Sequence, residues 1–322
     1  MLELNNSDTN RTYVVTGGAG FLGSHLVERL LQEGNKVICF DNEFRGSFKN
    51  LNSCRSKNLV LHRGDIRNLN EWPINFDRIY GIYHLAAING THNFYEIPET
   101  VLDVNVKGVI NALEFVRKND IEYFSFASTP EAYGIPQTFP TSETEILAVP
   151  NIINPRWSYG ASKIIGEVYC SALSNKYGFK CSIVRFHNTY GPRDHSGHVI
   201  PDLIHKLLKN QKFVVEGNGN ETRSFSFVSD SIDATLLIEK KQTLKLDVFN
   251  VGIDKETTIL DLIQLIEKVS NKKIRPILKE KINAGTTRRI PDISKIRNLG
   301  FTPKISLEKG LKITFDWLLE NK

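Results

Sequence analysis

Tyr159-Gly160-Ala161-Ser162-Lys163 sets a phenol and an ammonium four residues apart, one turn apart on a single helical face. A phenol near its ordinary pKa of roughly 10 is a poor base at neutral pH. A neighbouring ammonium stabilises the phenolate, and the positive ring of an oxidised nicotinamide stabilises it further, so the pair can take a proton from an alcohol. Lys163 can also hold ribose hydroxyls. Tyr-x-x-x-Lys arises by chance on many helices, and its weight here comes from what surrounds it. Ser128 and Thr129 come after a strand-like run at 123–127 and offer hydroxyls able to bridge Tyr159 and a substrate alcohol. Ser/Thr before Pro130-Glu131 is equally a good helix start. Glu131 brings a carboxylate for acid–base work, in a place that the dipole of an ensuing helix also favours.

Thr16-Gly17-Gly18-Ala19-Gly20-Phe21-Leu22-Gly23 is the second constellation. Gly17, Gly20 and Gly23 occupy the positions where a strand-to-helix turn must let a pyrophosphate approach the backbone, with Phe21 and Leu22 opening the helix. Asp41, with Asn42 after it, ends the next strand at the ~20-residue offset where an acid accepts ribose hydroxyls and repels a 2′-phosphate. The spacing therefore predicts NAD(H) over NADP(H). Asp65-Ile66 and Leu85-Ala86-Ala87 stand just past two further strand-like runs, where such folds bind ligands, and are assigned to the cofactor as well.

The elements that must position these groups alternate. Strands are expected at 13–16, 36–40, 59–62, 79–87, 123–127 and 181–186, with helices at 21–33, 101–118 and 159–177 between them. That order implies a doubly wound, Rossmann-type α/β fold with a parallel sheet. Beyond Tyr190 the pattern is less regular: helices at 200–209, 231–239, 258–270, 292–299 and 307–320, strands at 212–216 and 246–251. A smaller mixed α/β C-terminal domain is expected there, the chain crossing between domains more than once.

Bulk properties exclude several classes. A chain of 322 residues can bury a full core, and its net charge of +5 comes from scattered residues, which speaks against a nucleic-acid stripe. Cys39, Cys54, Cys170 and Cys181 show no metal-ligating spacing, and no metal is expected. Residues 1–11 are polar and lack the apolar core of a signal peptide, and no apolar run approaches the ~18 residues of a membrane span. These features predict a cytoplasmic protein without a membrane partner.

Taken together, these motifs resemble the extended short-chain dehydrogenase/reductase family, in its nucleotide-sugar epimerase/dehydratase branch. The likeness runs from about Arg11 to the C-terminus. It includes Asn105 in Asp103-Val104-Asn105-Val106-Lys107-Gly108, Asn188-Thr189-Tyr190-Gly191-Pro192-Arg193, Thr222-Arg223-Ser224-Phe225, and Arg288-Arg289-Ile290-Pro291-Asp292. The resemblance implies a nucleotide-sugar substrate, a UDP-sugar being favoured. It assigns Asn105 to the cofactor, and Asn188, Arg193, Val215, Arg223 and Arg289, with Thr91 and Thr129, to the substrate. Guanidinium forks suit diphosphate oxygens. With the strand–helix pattern the resemblance gives an expected NAD-binding domain of 1–188 with about 227–252 and a sugar-nucleotide domain of 189–226 and 253–322, and it implies a homodimer through the helices at 101–118 and 159–177.

Such enzymes begin by oxidising the sugar at C4, and the fate of the 4-keto sugar depends on few residues. A 4-epimerase needs only a ketone that turns over. A 4,6-dehydratase needs a base for the C5 proton and an acid for the 6-hydroxyl, and a decarboxylase needs a C6 carboxylate near the ketone. Glu131 matches the base position, but Pro130 has no proton to give. The residues therefore favour 4-epimerisation of a UDP-hexose or UDP-uronate over dehydration or decarboxylation. His187, where an aromatic is common, is assigned either to pack on the nicotinamide or to donate a proton. A non-catalytic NAD-sensing protein would not need Tyr159, Lys163 and Thr129, and a simple alcohol dehydrogenase would not need Arg223 and Arg289.

Overall fold

The computed structural model describes residues 10–74, 76, 78–194, 197–279 and 286–321. In chain order the first part contains Thr12–Thr16 (β1), Phe21–Gln32 (α1), Lys36–Asp41 (β2), Leu59–Arg63 (β3), Gly81–His84 (β4), Thr91–Glu96 (α2), Pro98–Lys118 (α3), Tyr123–Ser128 (β5), Ser158–Tyr177 (α4) and Lys180–Phe186 (β6). The second part contains Thr189–Tyr190 (β7), Val199–Leu208 (α5), Phe213–Glu216 (β8), Thr222–Arg223 (β9), Ser226–Phe227 (β10), Val228–Lys241 (α6) and Leu246–Val251 (β11). It closes with Thr257–Thr258 (β12), Ile259–Ser270 (α7), Pro276–Lys279 (β13), Arg288–Arg289 (β14), Ser294–Asn298 (α8) and Leu307–Glu320 (α9).

Seven strands form one sheet in the order β3-β2-β1-β4-β5-β6-β11. The pairs β2–β3, β1–β2, β1–β4 and β4–β5 are parallel. The order reverses at β1, the switch point at which doubly wound sheets bind ligands outside the strand C-termini. Val14, Ile38, Ile82 and Phe124, from four neighbouring strands, lie in one buried cluster with Val109, Leu113 and Val116 of α3. Near-continuous apolar strands are what a sheet covered on both faces requires. Close approach is enforced by glycines: a Cβ on Gly166 of α4 would lie 2.3 Å from the Phe126 ring, and one on Gly108 of α3 would lie 2.2 Å from Ile66.

The chain divides into two compact units: Met1–Ser128, Asn151–Val184 and Glu239–Val248, and Thr129–Pro150, Arg185–Ile238 and Phe249–Lys322. The second therefore takes in 129–150 and begins its next stretch at Arg185, whereas the sequence pattern keeps 1–188 together. The cause is hydrogen bonding at long sequence distance. Thr141 N donates to Ile290 O at 2.8 Å, Asp292 N donates to Thr141 O at 2.8 Å, and Asn250 Nδ2 donates to Thr141 O at 3.0 Å. Within that unit β7 pairs with β10, β8 with β13, and β9 with β12 and β14. Strands of two residues carry no periodicity, so the sequence does not announce them.

The fourth strand is shorter than expected, ending at His84. Leu85 N still donates to Thr16 O at 3.1 Å and Ala86 N to Thr16 Oγ1 at 3.3 Å, but the chain then leaves the ladder for α2, which has too few residues for a helical apolar period. No helix of the described residues is long and apolar enough to cross a membrane.

Candidate active site

The glycine turn is tight on its inner side. Gly17 has φ +69°, a conformation that disfavours a side chain, and a Cβ there would lie 2.7 Å from Ala86 N. A Cβ on Gly23 would lie 2.0 Å from Gly17 O, so the helix can sit on the turn only without one. At Gly20, the N-cap of α1, the sole close neighbour of a Cβ would be Gly17 O at 3.1 Å. No side chain caps α1 and no acid stands in its first turn. Its leading N–H groups and the positive end of its dipole are thus left without a capping side chain of the helix's own, an arrangement suited to an anion. Phe21 and Leu22 are half-buried at the same helix start.

Asp41 braces this turn. Its Oδ2 accepts from Ala19 N at 3.0 Å and its Oδ1 from Glu43 N at 2.7 Å. Burial raises its pKa to about 6, and hydrogen bonds from backbone amides act against the rise. A carboxylate has about four acceptor sites, so these backbone amides leave acceptor capacity for a ribose hydroxyl. Asn42 accepts from Phe44 N at 3.0 Å and shapes the loop beyond β2. That loop supplies groups that the sequence motifs do not contain: Ser47 N and Asn50 Nδ2 donate to Ala19 O, at 3.0 and 2.9 Å, and a Cβ on Gly46 would lie 2.5 Å from Ala19. Gly46 is the one signal of them in the sequence. The cradle has the chemistry a dinucleotide such as NAD requires, and Gly17, Gly20, Gly23 and Asp41 are the residues that could hold it.

The other residues assigned to the cofactor follow β3 and β4 or stand on α3. Asp65 is engaged by Arg67 at 2.7 Å, which holds its carboxyl below the usual range, while Ile66 is buried against α3. Leu85, Ala86 and Ala87 are half-buried after β4. Asn105 uses both ends of its amide within the protein. Its Oδ1 accepts from Ile88 N at 2.9 Å and its Nδ2 donates to Ile88 O at 3.2 Å and Ser162 Oγ at 3.1 Å. It ties the segment after β4 to α3 and α4.

On α4, Tyr159 and Lys163 share a face, with Nζ 5.7 Å from the Tyr159 ring centre. Tyr159 stacks on Phe94 of α2 at 5.2 Å. Lys163 is 3% exposed, and its Nζ donates to Ala127 O at 2.7 Å. Burial pushes its pKa down to about 8. Ser128, at the end of β5, donates to Glu167, which stands one further turn along the same face of α4. Glu167 belongs to no motif, and its spacing of four from Lys163 is its only mark in the sequence.

In the second unit Thr129 is buried, and its Oγ1 accepts from Glu131 N at 3.2 Å, capping the short turn Pro130–Tyr133. Glu131 pairs with Arg289 at 2.8 Å, and Arg289 Nε donates to Thr286 Oγ1 at 2.7 Å. The carboxylate and the guanidinium that the sequence assigns to different tasks are thus brought together. Arg223 donates to the carbonyls of Thr222, Thr286 and Thr287, at 2.7, 2.9 and 3.3 Å. Asn188 (φ +37°) donates from Nδ2 to Ser224 O at 3.0 Å, and Arg193 (φ +69°) is half-buried. Val215 is buried in the β8–β13 pair, and Thr91 is exposed at the first position of α2 in the other unit.

His187 sits in a buried network. Arg185 donates to Tyr133 Oη at 2.8 Å, Tyr133 donates to Asn250 Oδ1 at 2.8 Å, and His187 Nε2 meets the same oxygen at 3.0 Å. Burial pulls the His187 pKa to about 3, and burial does the same to His84, whose Nδ1 lies 2.9 Å from Thr16 Oγ1. Neither is a proton donor at neutral pH. Both are neutral in the fold, whereas the unfolded chain takes up their protons below about 6.5. Stability is therefore full above that value and falls with pH, by about 1.4 kcal/mol per unit for each histidine until about 3. Urea unfolding between pH 7.5 and 5 is expected to show a shallower loss for His187→Phe than for the unaltered protein. Parallel pH dependences would mean that His187 is protonated in the fold.

A parallel doubly wound sheet, a glycine turn at the head of α1 and a Tyr–Lys pair on α4 define a short-chain dehydrogenase/reductase of the extended type. The chain belongs to the NAD dependent epimerase/dehydratase family, whose model matches residues 13–252, and it is an NAD-dependent enzyme. It is 36% identical over 314 residues to a putative UDP-glucose 4-epimerase of Methanocaldococcus jannaschii, covering 96% of this chain and 98% of that one. It is 32% identical over 317 residues to a UDP-N-acetyl-alpha-D-glucosaminuronate decarboxylase of Bacillus cytotoxicus, covering 95% and 97%. Among solved structures it resembles the UDP-glucose 4-epimerase of Thermotoga maritima with UDP-glucose, at a TM-score of 0.87 and 31% identity, covering 96% and 99% of the two chains.

Proposed function

We propose that the enzyme inverts C4 of a UDP-hexose or UDP-uronate through a 4-keto sugar. Tyr159 takes the proton of the 4-hydroxyl and returns it after the ketone has turned over, and the Lys163 ammonium supports the phenolate meanwhile. The nicotinamide, when bound, supplies reversible acceptance and return of the C4 hydrogen, so the reaction is redox-neutral overall. A hydroxyl of Ser128 or Thr129 is the proposed bridge between the phenol and the sugar hydroxyl. Asn188, Arg193, Val215, Arg223, Arg289 and Thr91 are the proposed substrate contacts, the arginines serving the diphosphate. UDP is favoured because the two relatives and the Thermotoga maritima structure carry UDP-sugars in their names.

The choice among reactions rests on Pro130-Glu131. Dehydration needs an acid for the departing 6-hydroxyl; Pro130 has none, and Glu131 is engaged with Arg289. NMR of products from UDP-hexoses and UDP-uronates is expected to show interconversion of 4-epimers. A 4-keto-6-deoxy sugar would overturn this reading. Decarboxylation of a UDP-uronate is the second reading, favoured by the same pair: Arg289, already held beside one carboxylate, is a natural partner for a C6 carboxylate. Released carbon dioxide with a pentose product would select it.

We also propose a homodimer through α3 and α4, on which Leu102, Ile165, Val168 and Tyr169 remain exposed. Light scattering is expected to give twice the chain mass of 36.5 kDa, and a monomer mass would refute the dimer.

A further inference from the structure

Two hydrogen bonds fasten the end of β5 to α4. Lys163 Nζ donates to Ala127 O at 2.7 Å, and the adjoining Ser128 hydroxyl donates to the Glu167 carboxylate. Glu167 is only 5% exposed and Lys163 only 3%. Tyr159, Lys163 and Glu167 succeed one another at intervals of four, so they line a single face of α4. A buried carboxylate is costly unless hydrogen-bonded and offset by an opposite charge; Glu167 accepts from the Ser128 hydroxyl and stands one helical turn beyond Lys163.

We propose that Glu167 is a positioning residue for the Tyr159–Lys163 pair, holding the Ser128 hydroxyl at the end of β5 and supplying the negative charge that supports the Lys163 ammonium. Its part in the charge balance emerges by elimination among the titratable groups around Lys163. His84 of β4 is neutral, because burial holds its pKa near 3. The Cys170 thiol on α4 is driven far up by burial and by its contact with Cys181 of β6, so it carries no charge at working pH. Asn105 of α3, which reaches Ser162 on the same helix, is uncharged. The aromatic neighbours, Phe126 at 4.8 Å and the Tyr159 ring at 5.7 Å, lie within reach of the ammonium through their rings. Against burial, which brings the Lys163 pKa to about 8, stand the Cys170 sulfur and the Glu167 carboxylate, and with the thiol held protonated by burial the carboxylate is the one of the two that carries a charge. Removing its charge therefore moves the loss of the ammonium to lower pH.

The test is direct titration of Lys163 by NMR in the full chain labelled with carbon-13 at the lysine ε-position, the signal being assigned by its disappearance in Lys163→Met. Glu167→Gln is expected to lower the Lys163 midpoint by about one pH unit, and Glu167→Asp, which keeps the charge, to restore most of it. Ser128→Ala removes the hydrogen bond but not the charge, and is expected to leave the midpoint in place while lowering kcat. A midpoint unmoved in Glu167→Gln, or moved as far in Glu167→Asp, overturns the proposal. Should Glu167→Gln fail to fold, a Lys163 midpoint displaced in Ser128→Ala alone would overturn it, because the support would then run through the hydroxyl. The proposal rests on the Tyr159–Lys163 reading, and the holoenzyme separates the two. If the Lys163 midpoint moves in Glu167→Gln but the pH profile of kcat does not, Glu167 supports the lysine as proposed and the catalytic reading of the pair fails.

Discussion

Tyr159→Phe is expected to lower kcat by about 10²–10⁴-fold, the usual worth of a positioned acid–base group, while NAD binding stays close to that of the unaltered protein. The cause is local. Tyr159 is almost fully buried and stacks on Phe94 at 5.2 Å with ring planes only 12° apart, an arrangement that phenylalanine reproduces. The substitution removes the hydroxyl and little else, so the loss reports the proton transfer. It corresponds to roughly 3–5 kcal/mol of transition-state stabilisation. NAD affinity and product formation are measured on the same preparation. Turnover within a few-fold of the unaltered enzyme would mean that another group takes the proton, and the proposed chemistry would fall with it.

The second large effect is expected at Gly23. An alanine there would set its Cβ 2.0 Å from Gly17 O and 2.7 Å from Gly18 Cα, backbone atoms that no side-chain rotation can relieve. Helix α1 and the glycine turn must then separate, and overpacking of this kind costs about 1–3 kcal/mol. That cost falls on the turn that carries the leading N–H groups of α1, so NAD affinity is expected to drop by about 10–100-fold. Calorimetric titration with NAD, beside a thermal unfolding curve to establish that the variant is folded, gives the answer. A folded Gly23→Ala protein binding NAD as tightly as the unaltered one would show that the turn does not cradle the dinucleotide.

Much of this protein is legible in the order of its residues. The parallel sheet can be read from alternating apolar runs, because a strand buried on both faces and a helix buried on one leave different periods. The glycine turn, Asp41 at the end of β2, and Tyr159 with Lys163 are likewise local facts, each decided by spacing within one turn or one strand–helix unit. The expected bounds lie near the observed ones: the helix expected at 159–177 is Ser158–Tyr177, and the strand expected at 246–251 is Leu246–Val251.

What spacing does not encode is which distant groups meet. Thr129 and Ser128 are neighbours and chemically alike, yet one caps Pro130–Tyr133 and the other reaches Glu167, a difference set by alternation along β5 and by the face that α4 turns to it. Glu131 and Arg289 lie far apart along the chain, and only folding of the second unit makes them a pair. His187, whose sequence position leaves it free to give a proton, is neutral because the fold buries it and sets the Arg289 and Arg185 charges near it. The sequence by itself determined the kind of sheet, its glycine turn and the phenol–ammonium pair, since those depend on short apolar runs and on spacings of three and four along the chain. Tertiary structure alone decided who partners whom and who is charged, since desolvation and long-range hydrogen bonds exist only once the chain has closed.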